Sequence, residues 1–205
     1  MKVKLLFLTI SLIIAKSSFA NELNFQFQRL SQELRKLKFK VEYQSYDRTY
    51  KLDSMQRLIL RQKINTSIQN TLSLDSLANT KLFKINSDYL SDIADAADVI
   101  EQVNAANIIA DTEFIKVSSV NEELRAKKSY ADKKPSDPFS SIYIVVSTRG
   151  RDNKIIPGYE VWYVKKLFVN DSTHYNNFLK NSSPVAKDLP PGRYFFWSRL
   201  KKEKK

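Results

Sequence analysis

Apolar residues in the first third of the chain recur with a helical period. Leu23, Phe27, Leu30, Leu34, Leu37 and Val41 step by four and three in alternation, which is the spacing of a heptad seam. The rhythm then slips by two positions, through Phe39, Tyr43, Tyr46 and Tyr50, before Leu60, Ile64, Ile68 and Leu72 continue at steps of four. Two arrangements satisfy this pattern: one long helix with a stutter, or two helices meeting near Asp53, whose carboxylate would cap the second. The aromatic stretch FKVEYQSYDRTY also alternates, which admits a short extended segment there. Residues 73–86 interrupt the pattern with small polar side chains and read as a connection. A second seam then opens with Ser87 as N-cap and Asp88 in the first turn, and can be followed from Tyr89 through Val103, Asn107, Phe114 and Asn121 to Leu124. Two arms of about 40 residues, each ~60 Å long at 1.5 Å per residue, would fold back as an antiparallel hairpin or part of a bundle.

The distribution of helix breakers sharpens this division. Every glycine, every proline and both tryptophans lie after Lys134. Glycine costs a helix interior about 1 kcal/mol and proline ~3 kcal/mol relative to alanine, so the partition separates a helical part from a strand-forming part. Three runs with strand character follow: SIYIVVS (Ser141–Ser147), GYEVWYV (Gly158–Val164) and RYFFWSR (Arg193–Arg199). The stretch between the last two leaves room for one or two short strands, with Phe168, Phe178 and Leu179 as core contacts. The expected class is α+β: a long helical hairpin or bundle at residues 21–134, a linker at 135–140, a small antiparallel β-sandwich-like domain at 141–199 and a basic tail at 200–205. So small a β domain is expected to need the helices or a partner to cover one face.

The first twenty residues change the compartment. Lys2 and Lys4 precede the apolar run Leu5–Ala15, and small residues lead to Ser18-Phe19-Ala20, the layout of a secretory signal peptide cleaved after Ala20. The apolar run is well short of the ~20 residues that span a bilayer, and no later run reaches that length, so no transmembrane segment is expected in the mature chain. Processing would remove Lys2, Lys4 and Lys16 and lower the formal charge from +12 to +9. Outside the cytoplasm such a surface meets anionic lipid, wall polymer or an acidic partner sooner than nucleic acid. The chain contains no cysteine, which excludes disulfides, thiolate metal sites and a lipidated cysteine.

Charge also sorts between the two arms. Residues 29–63 carry ten basic and four acidic side chains, whereas residues 87–113 carry seven acids and no base, so the arms attract. The stripe Asp88, Asp92, Asp95 and Asp98 lacks the glycine turn and loop carbonyls of a calcium site and reads as a solvated face. Asn107 and Asn121 lie on the second seam, either as register-setting amides or where the seam is shallow enough for them to reach water. The latter is the expectation here.

Catalytic groupings are scarce. His174 is the sole histidine and sits in the polar loop NDSTHYNN, no glycine-framed serine exists, and three glycines at 150, 158 and 192 cannot form a phosphate-binding loop. No cofactor, metal or catalytic residue is therefore assigned. The candidate contacts are aromatic and basic. Alternation places Arg193, Phe195, Trp197 and Arg199 on one face of the last strand, with Trp162 as a neighbouring aromatic, a strip suited to a protein partner or a glycan. In DLPPGRYFFW, Pro191 and Gly192 fit the centre of a type II turn that aims this strand, with a positive φ at Gly192.

The segments IYIVVSTRG, PGYEVWYVKK and SSPVAKDLPPGRYFFW resemble the carboxypeptidase-regulatory-like or transthyretin-like β-sandwich modules of exported bacterial proteins. Leu189, Pro190, Gly192 and Tyr194 match their late L-P-x-G-x-Y turn, and the likeness covers roughly a third of the chain. The resemblance implies a binding, spacing or attachment role. The helical part carries no such resemblance. Together these features predict a non-enzymatic exported protein, periplasmic or extracellular, acting through a protein partner or self-association of its helical region, with glycan or cell-wall binding as the alternative.

Overall fold

The computed structural model describes residues 2–43, 50–80 and 83–200, with side chains described at all of these except 2–19 and 177–182. The chain divides between Ser140 and Ser141 into two compact units, one helical and one built of strands, an α+β layout. No helix among the described residues is long and apolar enough to cross a membrane.

Among the described residues, four helices form the first unit: α1 (Lys2–Tyr43), α2 (Ser54–Thr80), α3 (Ser87–Ala105) and α4 (Asp111–Lys133). The described residues of the first arm thus hold two helices, and the start of the second is written at Asp53. Its Oδ1 accepts from the Gln56 amide at 2.7 Å while its own amide donates to Gln56 Oε1 at 3.0 Å, a reciprocal capping box. Residues 73–80 prolong α2 instead of connecting it, because Leu74 and Ala78 continue its buried stripe while the polar residues between them face outward. The cap of α3 is Asn86, one residue earlier than expected, whose Oδ1 accepts from the Asp88 amide at 2.7 Å. The second arm also breaks, at residues 106–110, where Asn107 is exposed in the turn. There the Ile109 carbonyl accepts from the Lys51 amide at 2.9 Å, so the two inter-helix turns are stitched together.

Helix α1 packs on both α2 and α3, and α4 packs on the same two, which sets α2 and α3 on a diagonal. Side-chain bonds give the directions. Asn24 meets Asn79, so α1 and α2 run antiparallel; Arg29 pairs with Asp98 and Glu101 and Asn104 donates to the Glu33 carbonyl, so α1 and α3 run parallel. Arg29 thereby joins α1 to two acids of α3, whereas Lys36 and Lys38 pair with acids of α1 itself. The unit is two helical hairpins laid side by side, α1 with α2 and α3 with α4.

The α1 seam is buried at all six positions, Leu23 to Val41. In α2 the stripe departs from strict steps of four: Thr71 and Leu74 are buried and Leu72 is exposed, since a helix of 3.6 residues per turn must alternate fours with threes to hold one face. Asn121 is buried, contrary to the shallow-seam expectation, and donates to the Lys63 carbonyl at 3.0 Å and Ser67 Oγ at 3.1 Å, tying α4 to α2. The aspartate stripe is not a uniform solvated face either. Asp92 is buried, its Oδ2 2.7 Å from Lys127 Nζ, and Glu123 Oε1 lies 3.0 Å from the same ammonium. Lys127 is fully buried and sits over the Tyr89 ring, 4.4 Å from its centroid. Burial pushes the Tyr89 phenol well above its usual range, against a smaller opposing pull from Lys127.

Residues 135–140, expected as a linker, pack back onto this end of the bundle. Phe139 is fully buried against Phe83 and Tyr89, with ring centroids 5.2 and 5.3 Å away, and approaches Phe27 at 6.4 Å. This aromatic plug closes the end at which α1 enters and α4 leaves.

Among the described residues, five strands form the second unit: β1 (Ile142–Val146), β2 (Tyr159–Lys165), β3 (Asn176–Ser182), β4 (Val185–Leu189) and β5 (Tyr194–Leu200). They make two antiparallel sheets, β1-β4 and β3-β2-β5. Val161 and Tyr163 of one sheet share a core with Val185 and Leu189 of the other, joined by Ile144, Val146 and Tyr194. The sheets therefore cover each other on their inner faces. Phe168 is half-buried and stacks on His174 at 3.9 Å; the side chains of Phe178 and Leu179 lie outside those described, as do residues 201–205 of the basic tail. The strand β5 reaches Leu200, one residue into the expected tail. The positive-φ glycine is Gly158, at 86°, and not Gly192. The turn before β5 is secured differently: Pro190 and Pro191 are buried and Tyr194 Oη donates to the Pro190 carbonyl at 3.0 Å.

Removing one member of a buried ion cluster leaves the others uncompensated. Lys127→Met should lower the stability of the helical unit by about 3–5 kcal/mol, and adding Asp92→Leu and Glu123→Leu should recover much of that loss, as read by urea denaturation followed by circular dichroism. Gly158→Ala should destabilise the β unit by about 1–2 kcal/mol, because a Cβ there is strained by the backbone angle although space is open around it. Both tryptophans lie in this unit, so their fluorescence reports its melting; an unchanged midpoint would contradict the assignment.

Candidate functional site

The five contact residues expected from the sequence fall on the outer face of the three-stranded sheet. Antiparallel register sets Trp162 of β2 directly opposite Trp197 of β5 and Val164 opposite Phe195. The two indoles stack, with centroids 6.4 Å apart and planes 19° from parallel. The Arg199 guanidinium lies 5.5 Å over the Trp162 ring, and Tyr175 meets Trp197 edge-on at 5.0 Å. Both indoles are half-buried, while Arg193, Phe195 and Arg199 are exposed. Structure thus brings Trp162, Trp197 and Arg199 into one ladder. Phe195 and Arg193 extend its strand, where the Arg193 carbonyl accepts from the Lys166 amide at 2.8 Å. A sugar stacks on an open ring face, and these indoles give ring surface to each other, to Arg199 and to Tyr175. The arrangement stabilises the sheet first and leaves Phe195 as its most open ring.

A different surface, not singled out by the sequence, is the strand β1. Among the described residues it pairs only with β4, leaving its other edge without a strand. Alternate residues Ile144 and Val146 turn into the core, whereas Tyr143 and Val145 turn outward, 67 and 61 % exposed. The segment IYIVV contains no charge, proline or glycine. Edge strands are commonly protected by charged residues, prolines or bulges. The edge strand β5 carries Arg199 and is entered from Arg193; β1 has no such protection along its five residues. The clue in the sequence was an apolar run that does not alternate although only one of its faces is buried.

Among the described residues, the aspartates of the α3 stripe and His174 lie in separate surroundings. Asp88 and Asp98 are exposed, Asp92 is buried against Lys127, and Asp98 pairs with Arg29. Among the described residues no group of three or more His, Cys, Asp or Glu side chains is placed to hold a metal ion. His174 is exposed, with Nε2 3.6 Å from Asp171 Oδ2. The Asp171 carboxyl is held below its usual range by hydrogen bonds from the Thr173 hydroxyl and amide.

Comparison with protein families, curated proteins and solved structures finds no match to this chain.

The ladder makes its own prediction. Arg199→Ala should cost the β unit about 0.5–1 kcal/mol and shift the tryptophan emission maximum, since the cation leaves the Trp162 face. An unchanged emission spectrum would mean that the guanidinium does not cover that ring in solution.

Proposed function

We propose that this is a non-enzymatic, exported interaction protein of the bacterial cell envelope, periplasmic or extracellular, that acts through protein contacts. The observation that carries the reading is the open, uncharged edge of β1. A strand paired along one edge, with Tyr143 and Val145 turned outward, can accept an added strand: main-chain hydrogen bonds would supply affinity and contacts with those two side chains selectivity. The seam of α1 is consumed within one chain, packed against α2 and α3, which moves the expected protein contact from the helices to the β unit. Export is supported by the charged, apolar and small-residue tracts of residues 1–20. Removing them after Ala20 would spare the packed part of α1, whose buried seam begins at Leu23.

Pull-down from envelope extracts with the wild-type chain, Val145→Lys and the control Lys84→Glu, an exposed residue of the helical unit, tests this reading. Wild type and control should retain the same partner and Val145→Lys should lose it, with circular dichroism unchanged because Val145 is exposed. Equal retention by all three would overturn the assignment of the edge.

A further inference from the structure

The two ends of the helical bundle differ. One is closed by the Phe139 plug, whereas the other gathers exposed apolar side chains from three separate segments. Phe39 and Tyr43 close α1, Met55 and Leu58 open α2, and Ile108 and Ile115 flank the α3–α4 turn. Each lies within about one helical turn of its helix end or in the turn itself. Hydrogen bonds hold the three segments together: Tyr50 Oη donates to the Lys40 carbonyl at 3.1 Å, Lys51 N to the Ile109 carbonyl at 2.9 Å, and Gln56 Nε2 to Asp111 Oδ1 at 3.0 Å. Phe39 and Tyr43 are 63 and 72 % exposed and stack on each other, with centroids 4.9 Å apart.

Cations accompany the apolar groups of α1 and α2, whereas the α3–α4 turn adds Asp111 and Glu113. The described residues from 35 to 61 include seven lysines and arginines against Glu42 and Asp53. Arg35 and Lys36 border Phe39 along an open groove of about 630 Å³ that Lys40 and Asn104 also line. Lys40 has a structural task there, donating to the carbonyls of Asn104 and Ala106 at the end of α3. Arg35 and Lys36 are exposed at the groove rim.

Aromatic and aliphatic side chains at a tip, interleaved with lysine and arginine, match the interface of an anionic bilayer. The apolar groups enter the headgroup region, and long cationic stems reach phosphates beside them. We propose that this end of the bundle is a docking site for an anionic membrane surface, with Phe39 and Tyr43 inserted and Arg35 and Lys36 on lipid phosphates. The assignment is independent of the β1 edge.

Sedimentation with vesicles tests it, using the protein as exported, its N terminus fixed by mass spectrometry. It should bind vesicles of phosphatidylglycerol and phosphatidylcholine, bind pure phosphatidylcholine far less, and release with added salt. Phe39→Asp with Tyr43→Asp should weaken binding by about tenfold or more, and Leu58→Asp with Ile115→Asp should do so independently. Arg35→Glu with Lys36→Glu should remove the preference for anionic lipid. All these residues are exposed, so circular dichroism should not change, and Val145→Lys should bind vesicles as wild type does. No binding to anionic vesicles, or equal binding by the wild type and both apolar pairs of variants, would overturn the proposal. So would a photo-crosslinker at Met55 that captures protein and no lipid in intact envelopes.

Discussion

A lysine ammonium held wholly out of water must bring its counter-charges with it. Lys127 does so with Asp92 from α3 and Glu123 one turn earlier on α4, and that requirement fixes the two helices against each other in both height and rotation. Tyr89, whose ring lies against the same ammonium, is placed by the same constraint, and Tyr89 in turn forms one wall of the site that Phe139 fills. The closed end of the bundle is therefore organised around one charge. Hydrophobic contacts could satisfy several rotations of α4; an ion cluster at 2.7 and 3.0 Å satisfies far fewer.

Much of the helical unit was legible because burial on a single helix face leaves a periodic trace. All six α1 seam residues are core, and Asp53 caps as its position suggested. The second arm misled because its turn at residues 106–110 contains neither glycine nor proline, so the seam passed through Asn107 without a visible stop. Asp92 misled for a related reason. Helical spacing shows that four aspartates share a side, yet the partner that buries one of them lies 35 residues away and follows no local rule. In the β unit, strand positions were readable from composition. The backbone angle assigned to Gly192 was not, because buried prolines and the Tyr194 hydroxyl hold that turn by contacts made only in the fold.

Surfaces were less legible than cores. The aromatic strand after Gly192 drew attention through its composition, and register then placed its Trp197 and Arg199 beside Trp162 of β2 in a ladder that largely satisfies itself. The openness of β1 is a property of strand order, which no local window contains. Phe39 and Tyr43 had left a trace, being out of phase with a seam already complete at Leu37 and Val41. A stutter and an exposed aromatic pair give the same spacing, and only the packed neighbours of α1 distinguish them.

The directions of the four described helices have a geometric consequence. Because each hairpin turns at the same end, the chain enters the bundle near Leu23 and leaves it near Phe139 at the other, where Phe27 and Phe139 are in ring contact. Both tethers of the helical unit thus emerge from its sealed end. The opposite end presents, among the described residues, the ends of helices and the turn at 106–110, so a broad, flat object brought to it would meet the helices end-on.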